Sequence, residues 1–141
     1  MKRAIRLVFV LILSLSLCGC GKITVKLYAD KAPVLDLDAL TELRESDPAK
    51  AKEEYDGNIY RCTGKIEFVK EEGNTVYYYL GYLKHDPVFD MYISTYHILI
   101  PMNKNSQDVF SMGDTVTFAG ELQFDETLPE LRNAIVIEKA E

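Results

Sequence analysis

From Asn58 onward the chain alternates between two kinds of residue. Tyr60, Cys62, Gly64, Ile66 and Phe68 fall on one side, and Arg61, Thr63, Lys65 and Glu67 on the other. A period of two marks a strand with one face buried and one in water. Glu71-Glu72-Gly73-Asn74 is a turn, and a second strand over 75–84 follows, with Val76, Tyr78, Leu80 and Tyr82 inward and Tyr77 and Tyr79 outward. Residues 85–93 carry an apolar run, Pro87, Val88, Phe89, Met91 and Tyr92, which reads either as a lid on a barrel end or as a partner-binding tip. Tyr96, Ile98 and Ile100 mark the inner face of a third strand and leave His97 outward. A polar connection over 101–112, with room for one helical turn, precedes Gly113-Asp114, which turns the chain into a fourth strand over 115–124. The fifth strand is 132–139.

Upstream the period changes. Leu37, Leu40 and Leu43 recur at helical spacing and predict a helix over 36–45. Asp47 is a good cap and Pro48 suits a first helical turn, so a second helix is expected over 48–55, with Ala51 and Tyr55 inward. Asp56-Gly57 ends it. Within 21–33, Ile23, Val25 and Leu27 alternate, which suggests a short edge strand.

Two strands share a spacing, Cys62-x-Gly64-x-Ile66-x-Phe68 and Phe118-x-Gly120-x-Leu122-x-Phe124. A glycine in mid-strand weakens a flat sheet, and its usual purpose is a bend or a close backbone approach. Two long strands bent in this way suit a small closed barrel. The expected class is therefore mainly β, a five-stranded OB-like barrel preceded by one or two short N-terminal helices. The motifs Tyr55-Asp56-Gly57-Asn58, Tyr60-Arg61-Cys62-Thr63-Gly64-Lys65-Ile66 and Gly113-Asp114-Thr115-Val116-Thr117-Phe118-Ala119-Gly120 resemble the tRNA_anti-like family of bacterial OB-fold proteins, often lipoproteins, over residues 36–139. The resemblance implies that the outer faces of strands one to three meet a ligand. It implies no particular activity, since function belongs to a site and not to a fold.

The N-terminus has the three parts of an export signal: the cations Lys2, Arg3 and Arg6, an uncharged stretch from Leu7 to Leu17, and small residues after it. The stretch spans about half of a hydrocarbon core, too little for a permanent transmembrane helix. Leu17-Cys18-Gly19-Cys20 resembles the bacterial lipobox, which implies a diacylglycerol thioether on Cys20 and cleavage before it. The expected organisation is a signal over 1–19, a membrane-proximal spacer over 20–35 and one domain over 36–141, held by membrane lipid on the extracytoplasmic side of the cell membrane.

Losing the three cations with residues 1–19 takes the formal net charge from −6 to −9. Such a domain repels phosphate backbones on average, so an envelope protein or a small ligand is the expected partner and nucleic acid is not. Cys62 is the one thiol left after Cys18 departs and Cys20 is acylated, so the fold is expected to close without a disulfide. His85, His97 and inward Cys62 have no metal-ligand spacing, and the acids sit at turns and helix surfaces. No catalytic, cofactor or metal set is expected. Outward aromatics beside cations form a stacking platform, which makes Arg61, Tyr77, Tyr79 and His97 the candidate ligand-face residues, with Lys65 beside them. The reading is a non-enzymatic binding module. The alternatives are a single-stranded oligonucleotide-binding domain, and a hydrolase assembled from scattered carboxylates.

Replacing Cys20 by Ser is expected to move the protein from the detergent phase to the aqueous phase in Triton X-114 partition, whereas Cys18→Ser leaves it in the detergent phase. Aqueous partition of the unaltered protein would contradict acylation.

Overall fold

The computed structural model describes residues 21–124 and 127–140. Cys20 and the signal lie outside the described residues, as do Asp125, Glu126 and Glu141. Among the described residues no helix is long and apolar enough to cross a membrane.

Among the described residues three α-helices precede five strands. They are α1 (Gly21–Tyr28, continued by a 3-10 turn Ala29–Lys31), α2 (Leu37–Ser46), α3 (Pro48–Tyr55), β1 (Ile59–Glu72), β2 (Thr75–Asp86), β3 (Met91–Asn103), β4 (Thr115–Gln123) and β5 (Glu130–Lys139). The strands close in the order β1-β2-β3-β5-β4. All neighbours are antiparallel except β3 and β5, joined by one parallel pair, Leu99 with Glu130, and by the hydrogen bond from Leu99 N–H to Pro129 O at 2.9 Å. This is a mainly β ring of five strands, consistent with the OB-like expectation.

The caps are those the composition calls for. Asp36 accepts from the N–H groups of Asp38 and Ala39 at the head of α2, and Asp47 from Lys50 at the head of α3, with Pro48 in the first turn. Each satisfies amides that the first helical turn leaves without partners. Leu35 and Leu40, both buried, close one region of the core together with half-buried Leu37 and Tyr55. Phe110 closes another. It comes from the connection after β3, is 7% exposed and packs edge-on against Tyr78 and Phe118. Between them Cys62, Ile66, Leu80, Ile98, Ile100, Val116, Phe118, Leu122 and Leu131 are fully buried. The connection carries no helical turn.

Residues 21–28 are helical and not the edge strand that Ile23, Val25 and Leu27 suggest. Val25 and Ala29, an i, i+4 pair, are buried against Ala119, Ile59 and Ile135, while Ile23 and Leu27 face solvent. Burial of one helical face on β4 and β5 outweighs a weak local alternation.

The inward phase holds until two bulges reset it. Ile66 pairs with Leu80 and Phe68 with Tyr79, so Glu67 is an extra residue in β1. Phe68, expected inside, is 42% exposed, and Val69 packs on the core in its place. In β3, Ile98 pairs with Leu80 and Tyr96 with Gly81, so His97 is the extra residue. Tyr96, expected inside, becomes half-buried on the outer face, and His97, expected outside, is 5% exposed. Tyr82 also departs from expectation at 39% exposed, because β1 pairs with β2 only as far as Gly81. Beyond that point β2 and β3 form a two-stranded ribbon. Its tip is fixed by Asp86 accepting from Val88 and Phe89 N–H, and it holds Val88 and Phe89 in solvent, not as a lid.

The two close approaches are at Gly120 and Gly81. A Cβ on Gly120 would lie 2.6 Å from Leu131 Cγ, and one on Gly81 would lie 2.1 Å from Thr95 O. At Gly64 the nearest atoms, from Leu80, are at 3.2 Å and belong to a side chain that can yield. Overpacking costs about 1–3 kcal/mol. Gly81→Ala, which meets backbone, is expected to cost about 2 kcal/mol or more in chemical denaturation, Gly64→Ala less than about 1, and Phe89→Asp at the exposed tip within about 0.5. Equal midpoints for Gly81→Ala and Gly64→Ala would contradict the packing.

Candidate functional site

The first bulge builds an aromatic row on the outer face. With Glu67 extruded, Phe68 of β1 stands beside Tyr79 of β2, ring centroids 5.4 Å apart at 59°. Tyr79 in turn meets Tyr96 of β3 at 5.3 Å and 59°. The second bulge is what brings Tyr96 to this side. Tilted aromatic pairs at this separation are mutually attractive and hold each other's orientation. The row therefore crosses three strands as a preformed surface. Tyr77, two residues from Tyr79, pairs with Lys70 and Pro101 and extends it by one step.

The lysines beside the row are already partnered. Lys65 Nζ lies 3.1 Å from Glu67, and Lys70 Nζ lies 3.2 Å from Glu72. Glu72 also raises the pKa of Lys70 through its hydrogen bond, so the ammonium stays charged but balanced. Lys104 makes an ion pair with Glu71. The face offers π surface with little net charge.

The four predicted ligand-face residues are not gathered in one place. Tyr77 and Tyr79 stand on the outer face as expected. Arg61 does not join them. It sits where β1 pairs with β4, opposite Ala119, seven residues and on the order of 20 Å of extended chain from Phe68. Its free edge is covered by residues 33–35: Arg61 N–H donates to Pro33 O at 2.9 Å, and Leu35 N–H donates to Arg61 O at 2.7 Å. The guanidinium Nε is buried without a hydrogen-bond partner. Phe68 and Tyr96 were missed because alternation assigned both inward, and only a bulge reverses that.

His97 belongs to a different surface. Its Nδ1 is 2.6 Å from Thr41 Oγ1, and that hydroxyl donates to Leu37 O at 2.8 Å. Which of Nδ1 and Oγ1 donates depends on the ring tautomer. The ring rests on Tyr82 at 4.9 Å, and its Nε2 faces Asp38 at 3.7 Å. Cys62 lies wholly in the core, and burial pushes its thiol up to about 12, which leaves it inert as a nucleophile. Among the described residues no three His, Cys, Asp or Glu side chains come together as a metal ion requires.

No protein-family model matches the chain, and no curated protein matches it. The likeness to the tRNA_anti-like family therefore rests on its short motifs. Among solved structures, a lipoprotein from Klebsiella pneumoniae subsp. pneumoniae MGH 78578, to which nucleic-acid binding is provisionally ascribed, superimposes with a TM-score of 0.54 at 19% identity, over 78% of this chain and 95% of that one. At that identity the likeness speaks for the fold.

Burial lowers the pKa of His97, Asp38 works against the shift and Arg44 adds to it. The unfolded chain takes up this proton below about pH 6.5, and the folded chain only at lower pH. Stability is expected to fall as pH drops through that interval and to level off once both states are protonated. Urea midpoints measured from pH 7.5 downward should show the slope, and His97→Gln should flatten it. An unchanged slope in the variant would remove His97 as its source.

Proposed function

We propose that the protein is a lipid-anchored, extracytoplasmic, non-enzymatic binding module whose ligand face is the outer surface of β1–β3. The observation that carries this is the Phe68–Tyr79–Tyr96 row, a rigid aromatic strip with its neighbouring lysines neutralised by Glu67 and Glu72. Such a surface recognises planar or apolar groups by stacking and burial. It suits an envelope protein segment or a small ligand better than a polyphosphate. Acylation at Cys20 accounts for the placement, and the lipoprotein nature of the structural neighbour agrees with it.

A second reading is single-stranded nucleic acid. The aromatic row and the activity ascribed to the neighbour favour it, which weakens the expectation, drawn from net charge alone, that nucleic acid is not a partner. The paired lysines and the acidic surface weigh against it, because phosphate contacts supply most of the affinity in such complexes.

Oligo(dT) titration, followed by tyrosine fluorescence at low salt, separates the two. The leading reading expects no saturable quenching at micromolar protein, and in-cell crosslinking from position 79 to an envelope partner that is lost in Phe68→Ala/Tyr96→Ala. Saturable oligo(dT) binding abolished by Tyr79→Ala would establish the second reading instead.

A further inference from the structure

A groove of about 920 Å³ opens between α2 and the middle of β1, β2 and β3, apart from the aromatic row. Its helix wall presents Asp38, Glu42 and Glu45, residues four and three apart that share one helix face. Gly64 and Gly81 line it beside Thr63 and Thr95. Tyr82 and His97 line it from β2 and β3. The lining holds three carboxylates and neither Lys nor Arg, and none of the three acids is ion-paired with a Lys or Arg among the described residues.

The decisive detail is at His97. The residue is 5% exposed, and its Nδ1 is engaged with Thr41, which leaves Nε2 as the ring atom turned toward Asp38. The carboxylate Oδ1 of Asp38, on a side chain 90% exposed, lies 3.7 Å from it, beyond hydrogen-bond range. With the ring proton on Nδ1, Nε2 and the carboxylate are two acceptors without a donor between them, and a group with several N–H bonds and a positive charge supplies it. A metal ion fits less well, because the acids are strung along the helix and do not converge. Along the axis, Glu42 lies roughly 6 Å and Glu45 roughly 10 Å beyond Asp38. That spacing matches amines separated by three or four methylenes, with Tyr82 offering a ring face to the chain or its charge.

We propose that this groove binds an alkylammonium ligand, an aliphatic polyamine or a lysine side chain of like chemistry, with one ammonium held between Asp38 and His97 and further charge met by Glu42 and Glu45. The site is independent of the aromatic face, so either can fail without the other.

The test is isothermal titration of the full chain in a nonionic detergent at pH 7.5, with spermidine, putrescine, N-acetyl-lysine amide and magnesium chloride at matched ionic strength. Spermidine is expected to bind one to one and about tenfold more tightly than putrescine. Glu42→Gln/Glu45→Gln, changes at exposed positions, should weaken it about tenfold, and Tyr79→Ala should leave it unchanged. N-acetyl-lysine amide binding as tightly as spermidine would support the ammonium site and assign it to a protein-borne lysine. Binding should also weaken as the pH falls and His97 gains its proton. Asp38 draws that proton to the ring, Arg44 opposes it, and Tyr82, Glu42 and Glu45 share the groove. Unsaturable heats, equal heats from magnesium chloride, or unchanged affinity in the double variant would each overturn the proposal.

Discussion

Lys65 is the residue at which β1 changes partner. From Ile59 to Lys65 the strand pairs with β4, and from Lys65 to Glu72 with β2. One strand serving two neighbours in succession must turn from one sheet direction to the other, and Gly64, beside the handover, leaves room for Leu80 and Leu37 to fill the inside of the bend. The other features follow from this. The first half of β1 has a free edge because β2 has not yet joined it, and residues 33–35 cover that edge by bonding to Arg61. The far half of β2 has no β1 beside it, so it runs out with β3 as a ribbon. The groove under α2 lies where β1 leaves and the ribbon begins, and so collects Thr63, Gly64, Gly81 and Tyr82.

What could be read in the sequence was whatever depends on neighbours three or four residues away. Asp36, Asp47 and Pro48 place the helix starts, and period two places Cys62, Ile66, Leu80, Ile98 and Phe118 inside. The candidate site was legible by half. Tyr77 and Tyr79 lie before any reset of their strand's phase. Phe68 and Tyr96 lie past a bulge, and a bulge is decided by which residue of the partner strand is opposite, a long-range fact. His97 is itself the extruded residue, so alternation could not assign it a side. In α1 the competing signal was present, since Val25 and Ala29 sit at helical spacing. Its weight came from Ile59, Ala119 and Ile135, which are distant in the chain.

The same two bulges sort the chemistry of the surface. Extruding Glu67 turns it toward Lys65, with only 10% of its side chain exposed, and gives the aromatic row an electrically quiet border. Extruding His97 takes an imidazole off that row and sets it against α2, whose Asp38, Glu42 and Glu45 make no ion pair with a Lys or Arg among the described residues. One face becomes suited to π and apolar groups and the other to a cation. A net negative charge averaged over the domain hides this division.

The ring order then relates these surfaces to the proposed anchor. In the sequence β1-β2-β3-β5-β4, β2 stands across the barrel from the β4–β5 pair. The aromatic row is centred on Tyr79 of β2, whereas α1 is docked on β4 and β5 through Val25 and Ala29. The described part of α1 starts at Gly21, next in sequence to the proposed acylation site Cys20. Exposed Ile23 and Leu27 lie on the outer side of that helix and suit a bilayer interface. If Cys20 is acylated as proposed, α1 brings the β4–β5 side nearer to the membrane than β2, on which the aromatic row is centred.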